Sequence, residues 1–176
     1  MAMLPTYKGD NVAMLDVGAN SENTASQLVS FAVMGSVYAR NVRKIENPKV
    51  ALLNIGSEHH KGDEVHQETY KLLENMKEIN FVGNIEGKEI LDGDVDVIVT
   101  DGFTGNVALK TTEGVAKVLV KSLKESLMSS TRTKVGALMA KPGLKQLMKK
   151  FDTKAAGGAL MMGFEKPVIK AHGSSD

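Results

Sequence analysis

At 176 residues, with 42% hydrophobic and 24% charged side chains, the chain is long enough for one domain with a real core and has an ordinary globular balance. A formal net charge of +1 argues for neither a nucleic-acid binder nor an acidic-surface protein, no nucleic-acid partner is expected, and the absence of cysteine removes a disulfide framework, a thiolate zinc site and a cysteine nucleophile. No run approaches the ~18 uninterrupted apolar residues of a bilayer span, and no basic-then-apolar leader opens the chain, so a cytoplasmic location is expected.

The opening Met1 to Pro5 is an apolar lead without a helix cap. Val12 to Val17 is a compact apolar run closed by Gly18 and predicts a strand. A helix is expected over about Thr24 to Lys44, with Leu28, Phe31, Ala32 and Val42 at helical spacing and Arg40, Arg43 and Lys44 complementing the dipole at its end. Val50 to Ile55 predicts a second strand and Glu64 to Lys77 a second helix, burying Val65, Tyr70 (or Thr69), Leu72, Leu73 and Met76. Phe81-Val82 and Val95 to Val99 supply two more strands. Apolar strands alternating with helices predict a parallel sheet covered by helices, with the ligand beyond the carboxyl ends of the strands.

Beyond Asn106 the pattern turns helical. Val107 to Met128 reads as one long helix anchored by Leu109, Val115, Val118, Leu119, Leu123 and Leu127; a second, Lys134 to Phe151, is expected to break at Pro142-Gly143. This hairpin, residues 107–151, carries more apolar surface than a cover for the sheet needs, which points to a second subunit. Residues 152–176 are expected to return to the sheet of a single α/β domain spanning 1–176. The apolar lead and the polar stop at Gly173 to Asp176 suggest a fragment.

Three polar, glycine-bearing turns should converge at one sheet edge: Asp16 to Asn20, Asn54 to Glu58, and Thr100 to Asn106. The last is the most informative. Gly102 and Gly105 allow close approach of a ligand, the following helix offers free N–H groups, Thr104 and Asn106 add donors, and Lys110 adds a cation. The residues leave two readings open, a phosphate cradle or a strand-to-helix turn capped by Thr104. Asp16 and Asn20 either orient a ligand or stabilise their own turn. Asn54, Ser57 and Glu58 carry the same ambiguity, and His59-His60 lack metal-ligand spacing. Lys170, His172 and Ser174 gather a cation, an imidazole and a hydroxyl suited to phosphate binding or proton transfer, without the elbow of a serine hydrolase. Val135, Leu138 and Met139 lie in an apolar stretch flanked by Arg132, Lys134, Lys141 and Lys145, which fits a membrane contact, a buried corner or a docking surface for an acidic protein.

Leu15 to Asn20, Met34 to Tyr38, Leu52 to Gly56, Phe81 to Asn84, Val99 to Val107 and Pro167 to Asp176, in that order along the whole chain, resemble the bacterial phosphate acyltransferase family of phospholipid synthesis. The resemblance implies a three-layer α/β/α sandwich with a mainly parallel sheet, as in phosphotransacetylases and isocitrate dehydrogenase, and a protruding helical hairpin. It implies acyl transfer from acyl carrier protein to inorganic phosphate with no metal or organic cofactor, a homodimer, and peripheral contact with an anionic membrane at Val135 to Ala140. Carried over residue by residue, the site is Asp16, Asn20, Asp101, Thr104, Gly105, Asn106, Lys110, Lys170, His172 and Ser174. Family members carry further segments on both sides, so the resemblance implies a half with one wall missing. A coenzyme A-dependent phosphotransacetylase and a non-catalytic dimerising, membrane-touching fragment are the competing readings. A nicotinamide dehydrogenase would need a Gly-x-Gly-x-x-Gly after the first strand.

Overall fold

The computed structural model describes residues 1–150, 159–163 and 168–170. Strands β1 (Ala2–Pro5), β2 (Asn11–Leu15), β3 (Lys49–Leu53), β4 (Asn80–Ile85) and β5 (Val97–Val99) form one sheet in the order β1-β2-β5-β3-β4. The last four in that order run parallel, and β1 pairs antiparallel with β2. The chain is thus α/β with a mainly parallel, mixed sheet, as expected. The antiparallel edge was not: Ala2 to Pro5 lacks alternation and carries a proline, which suits only an edge strand. Thr6 makes the hairpin, its amide and hydroxyl both donating to the Asp10 carbonyl.

Helices α1 (Ala25–Asn41) and α2 (Glu64–Glu74) return the chain between parallel strands. Thr24 caps α1 in a capping box with Gln27. Side-chain alternation along the strands sorts the core into two layers. Ala13, Leu15, Val50, Leu52, Val97 and Val99 pack with Leu28, Ala32 and Ala39 of α1 and Leu73 of α2. On the opposite face Leu4, Val12, Met14, Leu53 and Ile98 pack with Ile90, Ala108 and Leu109. The second face is therefore covered by the start of α3 (Gly102–Leu127) and the segment around Ile90, giving a sandwich with one thin layer. Two anchors expected on the first two helices fall outside the core, because α1 ends before Val42 and Leu72 lies on the outer side of α2, and Val115, Val118, Leu119 and Leu123 of α3 are exposed as well.

The helical region differs from expectation at three points. The long helix starts at Gly102, five residues early, so the glycine-bearing turn is its first turn and a half. Helix α4 (Thr131–Lys150) runs through Pro142 without interruption; Leu138, whose carbonyl loses its partner there, is exposed and water can satisfy it. The hairpin bends at 128–130, so Val135, Leu138 and Met139 lie past the first turn of α4 and not at its tip. They are 55%, 71% and 80% exposed, while Ala137 between them is buried. Among the described residues no helix is long and apolar enough to cross a membrane. Strands β6 (Ala159–Met161) and β7 (Val168–Lys170) pair with each other in a separate sheet, tied to Met1 by reciprocal backbone bonds through Leu160.

Candidate functional site

In the parallel register Leu15 lies beside Val99 and Val99 beside Leu52, so β2, β5 and β3 end at one edge. The turns after β2 and β5 meet there directly: the Asp16 amide donates to the Thr100 carbonyl.

Asp16 is buried. Its Oδ1 accepts from the amides of Val17 (2.5 Å), Gly18 (3.1 Å) and Ala19 (3.0 Å), and its Oδ2 from the amide (2.8 Å) and side chain (3.0 Å) of Asn20. Burial works against the charge, but the donors from Ala19, Asn20 and Val17 outweigh it and hold the carboxyl below its ordinary pKa. An anion enclosed this completely fixes the 16–20 turn.

Helix α3 is seated on that turn. A β-carbon on Gly102 would lie 1.9 Å from the Asn20 carbonyl oxygen, and one on Gly105 would lie 1.9 Å from that of Asp16. Three residues apart, the two glycines form one flat patch on the helix. Their clearance serves the neighbouring turn, where the sequence suggested a ligand. Asp101, and not Thr104, is the N-cap: its Oδ1 accepts from the Thr104 amide at 2.8 Å. Gly102 donates to Asn23 Oδ1 at 3.1 Å and Gly105 to the Asp101 carbonyl at 2.9 Å. Two of the amides at the helix start, those of Gly102 and Thr104, thus have side-chain partners, and that of Gly105 makes the first intrahelical bond. Side-chain donors are also offered to solvent, since Asn20, Thr104 and Asn106 are all exposed around this junction. Asn106 packs against Gly18, whose φ of +109° opens the turn towards it. Lys110 stands farther along α3 and places its ammonium 2.8 Å from Glu113 Oε2.

The third turn joins through Asn54 and through residues of β4 and α2. Asn54 at the end of β3 donates to the Lys61 carbonyl, and Asn84 of β4 to that of Glu58, which pins the 54–62 loop. The loop leads into Asp63, the N-cap of α2. Asp63 accepts from the His66 amide at 2.9 Å and contacts His66 Nδ1 at 2.7 Å; these bonds hold its carboxyl below its ordinary pKa. The other ring nitrogen, Nε2, stands 4.0 Å from Asp101 Oδ2. One imidazole therefore links the caps of α2 and α3. Its signal in the sequence was the Asp63-x-x-His66 spacing at a helix start.

The fold thus brings together Asp16, Asn20, Asp101, Thr104, Gly105 and Asn106. Lys170 ends β7, outside the five-stranded sheet, and only its backbone is described; His172 and Ser174 lie outside the described residues. Among the described residues no three His, Cys, Asp or Glu side chains gather in a metal-binding group.

The sequence pattern of a family described as "Fatty acid synthesis protein" matches residues 1–176. The chain is similar to proteins named phosphate acyltransferase from Streptococcus suis strain 05ZYH33 (51% identity, all of this chain and 53% of the relative) and Lactobacillus gasseri (52%, all of this chain and 53% of the relative). One from Pediococcus pentosaceus is 49% identical over 98% of this chain and 51% of the relative. The chain spans about half the length of the curated relatives it matches.

Proposed function

The chain belongs to the fatty acid synthesis protein family, and from that premise we propose that it forms the phosphate-binding wall of an acyltransferase site. The reaction moves a fatty acyl group from the thioester of acyl carrier protein to inorganic phosphate. The observation that carries this reading is the junction itself: a helix start seated on an anion-locked turn, with Asn20, Thr104 and Asn106 presented around it.

A phosphate oxygen attacks the thioester carbonyl carbon, the carbon–sulfur bond breaks, and the carrier leaves as a thiolate that takes up a proton. The acyl phosphate forms in one transfer, without an acyl-enzyme. The Thr104 hydroxyl and the Asn20 and Asn106 amides hold the phosphate, with Lys110 as a nearby cation; Asp101 and Gly105 set the helix start. Asp16 acts by holding the turn in register. Lys170, His172 and Ser174 serve the thioester side. The exposed apolar side of α3, with Val115, Val118 and Leu119, pairs two copies, and Val135, Leu138 and Met139 meet an anionic membrane.

The test is acyl phosphate, trapped with hydroxylamine, formed by the chain and by Asn106→Ala from either a carrier-protein or a coenzyme A thioester. Product that requires phosphate, favours the carrier thioester and falls in the variant supports the proposal. No product from folded protein, alone or mixed with the remaining part of a relative, refutes it.

A further inference from the structure

Charge is partitioned sharply along this chain. Residues 107–150 hold ten lysines and arginines against two glutamates, while the rest holds twelve against nineteen acidic residues. Within α3 the cations are ordered. Lys110, Lys117, Lys121 and Lys124 follow the spacing i, i+7, i+11, i+14, which confines them to about 60° of the helix circumference and spreads them over about 21 Å. The intrahelical pairs Lys110–Glu113 and Lys121–Glu125 leave both lysines more than half exposed. Among the described residues Lys117 and Lys124 enter no ion pair.

The stripe starts one helical turn beyond the site. α3 is mounted on the Asp16–Asn20 turn through Gly102 and Gly105, and its Ala108 and Leu109 pack on the sheet. Lys110 follows one residue later, where helix and sheet meet in a corner, and the other three lysines lead away along the helix. A flat lipid surface cannot follow a row of charges into such a corner, whereas a convex protein can. Residues 107–127 of α3 also lack any aromatic side chain to anchor this helix in a lipid interface.

We propose that the lysine stripe of α3 is the docking surface for an acidic protein that carries the acyl thioester. The inference rests on the acyl-transfer reading and adds where the donor sits: one end of the partner against Lys110 beside the phosphate site, its acidic face along Lys117, Lys121 and Lys124. Charge complementarity of this kind sets encounter rate and orientation, and it weakens with salt.

The probe is acyl carrier protein bearing an acyl thioester, titrated into the full chain at low and at high salt. The comparison is with Lys117→Glu/Lys124→Glu and with a charge-matched control at the exposed end of α2 and the turn after it, Lys71→Glu/Lys77→Glu. The stripe variant should bind at least ~10-fold more weakly at low salt, with the difference shrinking as salt rises, and the control should bind as the parent does. All four sites are exposed, so folding persists, which circular dichroism checks. Equal affinity in parent and stripe variant, equal loss in variant and control, or no carrier binding by the parent would overturn the assignment. So would loss of binding to phosphatidylglycerol vesicles with carrier affinity intact, which would make the stripe a lipid surface. Phosphate binding, followed by 31P NMR, separates the two claims: if the variant loses the carrier while the parent binds no phosphate, the docking surface stands and the phosphate site fails.

Discussion

Replacing Gly105 by alanine would put a methyl carbon 1.9 Å from the Asp16 carbonyl oxygen and 2.7 Å from Thr100 Cγ2. The oxygen cannot retreat cheaply, because the turn is held by five bonds to the Asp16 carboxylate and by the Asp16–Thr100 backbone bond. Overpacking typically costs about 1–3 kcal/mol, and an approach this close to a held backbone oxygen falls in the upper half, about 2–3 kcal/mol; alanine recovers up to ~1 kcal/mol of helix propensity, so a net loss of about 1–2 kcal/mol is expected. With a urea dependence of about 2 kcal/mol per molar, the unfolding midpoint falls by roughly 0.5–1 M. Gly114 is the internal control: it lies in the same helix with nothing within 4 Å of an added methyl, so Gly114→Ala should raise the midpoint by up to ~0.5 M. If both variants move together, in either direction, the glycine patch is not what seats α3 and the site geometry is misread.

Asp16→Asn should cost about 2–3 kcal/mol at neutral pH, since an amide nitrogen would face the Asn20 donors. The Asp16 pKa is depressed by folding, so its contribution is full above the unfolded value and fades as pH falls through the lower folded one; the midpoint gap between parent and variant should close below pH ~4. Asp63→Ala removes the α2 cap and the His66 contact and should lower stability by about 1 kcal/mol in urea unfolding, with a gap that also closes in acid because that pKa is depressed too. Asn106→Ala removes an exposed side chain and should leave the midpoint within about 0.5 kcal/mol of the parent while turnover drops. Replacing Val135, Leu138 and Met139 together by serine should leave unfolding unchanged and weaken sedimentation with anionic vesicles.

What the sequence made legible follows from burial. The runs at Val12, Val50 and Val95 are apolar because their strands are covered on both faces, and strands that share a register bring their terminal turns together. The start of α3 was illegible for the same kind of reason. Gly102 and Gly105 are poor helix formers, and what they clear, the carbonyls of Asn20 and Asp16, lies some eighty residues away in the chain. A glycine announces close approach without naming the neighbour. His66 was hidden by position, since it falls inside an expected helix and its neighbour Asp101 lies across the edge, 35 residues on in the chain. Pro142 was over-read, because a solvent-facing helix can leave one carbonyl to water.

The most direct test of the phosphate wall is a phosphate titration of the isotope-labelled chain, followed residue by residue through its amide resonances. Saturable shifts centred on Asn20, Thr104 and Asn106 are expected, lost in Asn106→Ala while the fold persists. Shifts scattered over the lysines of α4, or none near the junction at saturating phosphate, would contradict it.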